Sequence, residues 1–261
     1  MGVNSKMRLK NKSIVITGST SGIGKAIAEK VIAEGGQVLI HGIVAEEGQE
    51  LVKKLGANAK LCIADLKNSD SPKQIVKSAL DAFGKIDGLV NNAATFPRDN
   101  LLKVTEKSFG ETIVINLQAA LFLIQAAYPA LREQKGSVLN IGSVNAHSGE
   151  SSLLAYSISK GGMQTMTRNL ANAHGGDGVR FNQINPGWIL TEREYRDQIK
   201  KGMPEGWPDK LSKENIPFGK MSTPEQLANA AIYWLGDESR PFTGAVIDLE
   251  QFSIIGRNPE K

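Results

Sequence analysis

The sequence predicts an α/β fold, a doubly wound parallel seven-stranded sheet with helices on both faces. Three observations predict it. Short apolar, β-branched runs alternate with helix-forming stretches from residue 13 to residue 249, a spacing that parallel strand–helix–strand units satisfy. Gly18, Asp65, Asn91, Ser143 and Pro186 each follow a strand-like run, and ligands of such sheets bind at the carboxyl ends of strands. No internal repeat or low-complexity linker divides the 261 residues, so one domain is expected over residues 13–261, after a polar tail at 1–12.

Residues 13–17 (SIVIT) read as the first strand, followed directly by Gly18, Ser19, Thr20, Ser21, Gly22, Ile23 and Gly24. Ile23, Ile27 and Val31 then recur at helical spacing up to the stop at Gly35-Gly36. A glycine-rich turn from strand to helix lets backbone N–H groups approach a pyrophosphate where the helix dipole favours anions. In this position the stretch signals a dinucleotide site. The second strand is expected over 37–41, a charged helix over 45–55, and the third strand over 60–64, closed by Asp65. A helix over 72–83 leads to a fourth strand at 87–90, ending in Asn91-Asn92-Ala93-Ala94. A long uncharged helix over 112–131 follows, then the strand 138–141 before Ser143 and the helix carrying Tyr156. A sixth strand over 179–184 ends at Asn185-Pro186-Gly187; a helix over 224–235 and a seventh strand over 245–249 complete the pattern. Residues 188–218, with Gly202, Pro204, Gly206 and Pro208, read as a mobile substrate lid.

Composition narrows the function. Apolar content of 41% and aromatic content of 6% describe an ordinary soluble globule. The net charge of +4 is spread along the chain, and Lys6, Arg8, Lys10 and Lys12 cluster only in the tail, which reads as solvated rather than as a nucleic-acid arm. The single cysteine, Cys62, lies in an apolar run and reads as a packing residue, in keeping with a cytoplasmic location. No signal-peptide core follows the N-terminal charges, and Met1-Gly2 lacks the serine or threonine that myristoylation wants at position 6. The twenty uncharged residues 112–131 have the length of a membrane span, yet Asn116, Gln118, Gln125 and Pro129 interrupt them. A helix covered by the sheet on one side and by a partner subunit on the other is expected, hence a homo-oligomer, with a homo-tetramer preferred. Three histidines without metal-ligand spacing predict no metal site.

Chemistry concentrates between Ser143 and Lys160. Tyr156 stands thirteen positions after Ser143, and Lys160 four beyond it. A tyrosine and a lysine at i, i+4 share one helix face, and a nearby cation lowers a phenol pKa from about 10. The pair then serves as a proton donor and acceptor near neutral pH. Ser143, ending a buried strand, is placed to hold a substrate oxygen against the tyrosine.

With TGSTSGIG from Thr17 to Gly24, Asp65-Leu66, NNAA from Asn91, Asn116, Ser143, YSISK from Tyr156, and Asn185-Pro186-Gly187 with Thr191, the chain resembles the short-chain dehydrogenase/reductase family over nearly its whole length. The resemblance implies a Rossmann fold and hydride transfer between a nicotinamide and an alcohol or carbonyl. It implies that Tyr156 is the general acid/base, that Ser143 orients the carbonyl oxygen, and that Lys160 lowers the tyrosine pKa and holds the ribose. Asn116 would kink its helix and position a water for proton relay. It further implies cofactor contacts from Gly18 through Gly24, from Gly42, Asp65 and Leu66, from Asn91, Asn92 and Ala93, and from Tyr156, Lys160, Pro186, Gly187, Ile189 and Thr191.

Two departures bear on specificity. Ala94 replaces the last glycine of the usual NNAG. The second strand ends His41-Gly42-Ile43 and the glycine loop carries Ser21, so neither a ribose-binding aspartate nor a basic group for a 2′-phosphate is present. NAD is therefore expected as the preferred cofactor, with NADP possible. The glycine loop and Pro186 to Trp188 also look like those of NAD-dependent 3-hydroxybutyrate dehydrogenases. Asn145 and Leu153 stand where those enzymes carry their carboxylate-binding histidine and lysine. Candidate substrate contacts are Arg98, Asn145, His147, Glu150 and Trp188, with Glu192 and Tyr195 nearby. Their mixture of acids, amides and aromatics suits a sugar, sugar acid or polyol. A 3-hydroxy acid or ketoacyl thioester is the alternative substrate, and a non-catalytic dinucleotide-binding scaffold the alternative class.

Overall fold

In β1 (Ser13–Ile16), Ile14 and Ile16 point into one apolar core while Val15 points into another. Successive side chains of a strand face opposite sides, so a strand apolar throughout must be covered twice. The same alternation holds in β2 (Gln37–Gly42), where Val38 and Ile40 enter the first core and Leu39 the second. With β3 (Ala59–Ile63), β4 (Gly88–Asn91), β5 (Ser137–Ile141), β6 (Arg180–Pro186) and β7 (Val246–Leu249), they form one parallel sheet in the order β3-β2-β1-β4-β5-β6-β7. The computed structural model describes residues 7–214 and 216–252.

The first core is capped by α1 (Gly22–Ala33), α2 (Ala45–Leu55) and α9 (Pro224–Leu235), the second by α3 (Ser71–Phe83), α5 (Ala119–Glu133) and α7 (Leu154–His174). Because β1 lies between β2 and β4, the connections leave in opposite directions there and open a crevice at the strand ends. Cys62 packs in the second core, 4% exposed.

Two expectations need correction. Residues 7–12 are not a solvated tail: Leu9 is fully buried, Arg8 pairs with Glu34 at 2.8 Å and Lys12 with Asp237 at 3.0 Å; residues 1–6 of the expected tail lie outside the described residues. The uncharged run is not one regular helix. It spans the end of α4 (Glu106–Ile113), a π-helical turn at Val114–Gln118, and most of α5. Asn116 lies in the middle of this turn and its side chain bonds the backbone of Thr95; such π-turns frequently mark functional sites.

The segment 188–218, expected as a lid, has structure of its own. This segment is a built cap, with α8 (Glu192–Lys200), a 3₁₀ turn at Trp207–Lys210 and a third apolar cluster of its own. Trp207 is fully buried and stacks on Trp188 and Tyr195, ring centres 5.5 and 6.2 Å away. Its proline and glycine content suggests a loop; three aromatics spaced far apart in sequence make a core instead.

Candidate active site

A cleft of about 1770 Å³ runs along the strand ends, from the β2–β3 flank past α7 to the cap. Its nucleotide end is built by close backbone approach. Gly18 has φ +59°, and a Cβ there would stand 2.9 Å from the Ala93 Cα; one at Gly24 would lie 2.4 Å from the Gly18 carbonyl oxygen. Thr17 and Asn92 clasp the loop to the turn after β4: Thr17 Oγ1 accepts the N–H groups of Asn92 and Ala93, and Asn92 Nδ2 donates to the carbonyls of Thr17 and Gly18. Gly22 has φ +55° and opens α1, whose first turn holds no acidic side chain.

Gly18, Thr20, Ser21, Gly22, Ile23, Gly42, Asp65, Leu66, Asn92 and Ala93 line the cleft, as do Pro186, Gly187, Ile189 and Thr191. Ser19 does not line it. Its hydroxyl is buried, donating to the Ile16 carbonyl and accepting the His41 N–H. Gly24 likewise serves packing rather than the cleft surface. Asn91 points under the sheet, where its Nδ2 donates to Asn140 Oδ1 at 2.8 Å, so it does not lie along the cleft. Strand alternation decides this: Asn91 shares the face of Leu89, beneath α7.

The sequence reading missed the role of His41. Its ring lies beneath the glycine loop, Nδ1 accepting the Gly18 N–H at 3.1 Å and Nε2 facing the Ala64 carbonyl at 3.0 Å. An acceptor at Nδ1 and a donor at Nε2 define the neutral imidazole, and burial pushes its pKa below the ordinary histidine value. Its place at the end of an apolar strand, facing inward, was the available signal.

Ser143, Tyr156 and Lys160 meet in the middle of the cleft. The Ser143 hydroxyl accepts at 3.2 Å the N–H of Asn145, the first residue of the short α6 (Asn145–Ser148). The Lys160 ammonium, 1% exposed, donates to the Ile141 carbonyl at 2.6 Å and stands 5.6 Å from the centre of the Tyr156 ring. Burial holds the Tyr156 phenol above its ordinary value, and the Ser143 hydrogen bond offsets only part of that. Burial lowers the Lys160 ammonium to about 8. Withdrawal from water disfavours both charged forms, and it is burial, with the Ser143 hydrogen bond against it, that sets the direction for the phenol.

Asn116 is fully buried and outside the cleft wall. Its Oδ1 accepts the Thr95 N–H, and its two amide hydrogens go to the Thr95 carbonyl and Ser159 Oγ. The side chain ties the turn after β4 to α7.

The substrate end is walled by Asn145, Arg98, Glu150 and Trp188. Arg98 is committed to the Glu150 carboxylate and Ser152, and the Trp188 indole donates to Glu194 at 2.8 Å. His147 turns away from the cleft, its Nε2 3.0 Å from Asp248 Oδ1. Phe96 meets the Tyr156 ring edge-on at 6.1 Å, and Arg193 of the cap lies 4.5 Å over the Phe96 ring. Neither was foreseen, since both stand in stretches without a motif. Among the described residues no cluster of three metal-binding side chains occurs.

A family model described as enoyl-(acyl carrier protein) reductase, of the short-chain alcohol dehydrogenase type, matches residues 18–250. The chain belongs to the short-chain dehydrogenase/reductase family. Among its relatives, the L-rhamnose-1-dehydrogenase of Scheffersomyces stipitis is 32% identical across 91% of this chain and 93% of that one. The 3-oxoacyl-[acyl-carrier-protein] reductase of Thermotoga maritima is 31% identical across 95% of this chain and all of the relative. The L-sorbose reductase of Gluconobacter frateurii, solved with NADPH and L-sorbose, superposes with a TM-score of 0.89 at 25% identity, covering 94% of this chain and 97% of that one. As a short-chain dehydrogenase/reductase the protein is an NAD(P)-dependent oxidoreductase of the CH–OH/C=O couple. Its cradle fits a dinucleotide: glycines where a Cβ would collide, and a helix N-terminus without acidic residues aimed at the cleft.

Proposed function

We propose that the protein interconverts a polyhydroxylated secondary alcohol (a sugar, sugar acid or polyol) and its ketone or lactone, with NAD preferred. The observation that carries this is the meeting of Ser143, Tyr156 and Lys160 beneath a wall of charged and amide side chains, Asn145, Arg98, Glu150 and Glu192. Such a wall offers hydrogen bonds to several hydroxyls, with Phe96, Leu153 and Trp188 as apolar surface against the carbon skeleton. The rhamnose and sorbose enzymes among its relatives support the same class.

The glycine loop and α1 would hold the pyrophosphate, Asp65 and Leu66 the adenine, and Lys160, Ile189 and Thr191 the nicotinamide end. Bound there, the nicotinamide supplies the hydride donor or acceptor. Ser143 holds the substrate oxygen. In reduction Tyr156 delivers its phenolic proton to the carbonyl oxygen; in oxidation it takes the hydroxyl proton as the hydride leaves with its electron pair. Since burial keeps the phenol protonated, the resting site is set up as a proton donor, and Lys160 stabilises the phenolate formed.

NAD preference rests on what is missing at the ribose. Stripping water from a 2′-phosphate is favourable only with charged donors in return. Ile43 is 70% exposed at the end of β2, and a side chain at Gly42 would collide with Thr20 at 2.5 Å.

A homo-tetramer in the cytoplasm completes the proposal. Only a third of the apolar window within Glu106–Glu133 is buried by the chain itself, leaving Leu121 and Phe122 on an open face. Light scattering showing a monomer at micromolar concentration would contradict the assembly. The function is tested by screening sugars, polyols and hydroxy acids with both cofactors at the nicotinamide absorbance, L-rhamnose and L-sorbose first. Turnover confined to ketoacyl thioesters would favour the second reading, which the Thermotoga relative supports.

A further inference from the structure

A row of buried side chains runs beneath α7 from β4 to β7. Asn91 Nδ2 donates to Asn140 Oδ1 at 2.8 Å, Asn140 Nδ2 to Thr167 Oγ1 at 2.8 Å, and Thr167 Oγ1 to Gln183 Oε1 at 2.9 Å. Gln183 Nε2 then donates to Asn185 Oδ1 at 2.7 Å, and Asn185 Nδ2 to Asp248 Oδ1 at 2.9 Å. Every amide donor points the same way; Thr167 Oγ1 stands 2.9 Å from both Gln183 Oε1 and the Met163 carbonyl, and its one hydrogen joins the row when it points to Gln183. The five residues from Asn91 to Asn185 are each 3% exposed or less.

Amides and hydroxyls can each reverse, so something must set the direction. An ionised carboxylate accepts and never donates, and Asp248 closes the row. By drawing the Asn185 amide hydrogens toward itself it turns Asn185 Oδ1 inward, and each neighbour follows. The far end bears this out: Asn91 Oδ1 is buried with no hydrogen-bond partner among the described residues, the acceptor that a row oriented from the carboxylate leaves over. Links of one polarity also strengthen one another.

The row touches the active site at one atom. Asn185 Oδ1 accepts the Ser143 N–H at 3.2 Å. The backbone before Ser143 lies directly on the same amides, since a Cβ at Gly142 would be 2.0 Å from Asn185 Oδ1 and 2.4 Å from Gln183 Nε2. We propose that Asp248, acting through Asn185, is a positioning residue for Ser143: it holds the Asn185 amide in the orientation that accepts the Ser143 N–H, and so sets the serine hydroxyl against Tyr156. This rests on the reading of Ser143 as the group that holds the substrate oxygen.

The experiment has two readouts on the cofactor-loaded protein. Hydrogen–deuterium exchange of the segment 142–146, resolved by mass spectrometry, should speed up about tenfold in Asp248→Leu. Asp248→Asn, whose amide oxygen still accepts from Asn185, should recover most of the protection. Turnover of L-rhamnose and L-sorbose should fall about tenfold in kcat with little change in KM or in NADH affinity, and that fall should vanish in a Ser143→Ala background. Unchanged exchange in Asp248→Leu overturns the proposal whatever the turnover. So does a loss of kcat as large with Ser143→Ala as without it. If Asp248→Leu does not fold, Gln183→Leu should give a smaller acceleration of exchange at the same segment, and its absence is equally decisive. A Ser143→Ala enzyme with undiminished turnover sinks the reading of the site instead, and the exchange measurement still decides the hydrogen-bond row.

Discussion

The nucleotide flank and the cap are held by opposite means. Around the glycine loop the chain is fixed by backbone contact: glycines at 18 and 24 that admit no Cβ, with Thr17, Asn92 and His41 bonding main-chain groups. The cap is fixed by side chains, its aromatic cluster around Trp207 separate from both sheet cores. A loop held by backbone geometry tolerates few substitutions and presents one shape to a nucleotide common to many enzymes. A cap held by its own small core can vary in sequence and lining while the sheet stays the same, which suits a surface that selects substrates.

The largest expected effect breaks the chemistry while leaving both regions standing. Tyr156→Phe should lower turnover by on the order of 10²–10⁴, the usual worth of a general acid/base, with NADH affinity and melting temperature nearly unchanged. Near wild-type turnover would remove the phenol from the mechanism. Trp207→Ala breaks only the cap. Truncating a fully buried tryptophan costs about 3–5 kcal/mol, here charged to the small cluster it centres. The expected result is a raised KM and faster proteolysis within 188–218, with cofactor affinity unaltered; weakened NADH binding would mean that the two regions are not separable.

Lys160→Met should cost activity and add stability. Burial lowers the ammonium from 10.5 to about 8, a shift equivalent to roughly 3 kcal/mol at 1.36 kcal/mol per unit. Its folded pKa lies below its unfolded one, so the unfolded chain binds the extra proton between these values. Wild-type stability therefore rises with pH from about 8 toward 10.5. The advantage of Lys160→Met should be greatest near pH 7 and shrink above pH 8. Thermal melts at pH 7 and pH 9.5 check it, and an advantage independent of pH would place its origin elsewhere. The smallest effect sharpens the nucleotide flank. NAD should bind roughly ten- to a hundredfold more tightly than NADP, since each missing charge-assisted bond forfeits about 1.5–3 kcal/mol. Ile43→Arg should narrow or invert that ratio, and calorimetric titration of both cofactors measures it; tighter NADP binding in the wild type would expose a phosphate-binding group not identified at this flank.

What was legible in the sequence follows the same division. The succession of strands and helices, the glycine loop and the approach of Ser143, Tyr156 and Lys160 are consequences of local patterning, since an i, i+4 pair on a helix and a turn after an apolar strand are placed by the backbone alone. The orientations that went astray depend on what lies opposite. Asn91 closes β4 and His147 lies in the short helix after Ser143, yet one faces Asn140 and the other Asp248, partners 49 and 101 positions away. The Trp207 core is hidden for the same reason, because Trp188, Tyr195, Ile216 and Met221 show no common period. The direction of the Tyr156 shift is set by burial, and depth of burial, unlike a neighbouring cation, is not visible in a motif.

The order of the strands divides the gene as well as the sheet. Everything argued to choose between nucleotides, from Thr20 to Leu66, precedes β4, and everything that meets the substrate follows it. The two portions join along β1 and β4, with α1 against α9 and α3 against α5. A crossover near Gly84, between α3 and β4, would thus exchange cofactor choice between relatives and leave substrate choice behind, provided those two helix faces are inherited together.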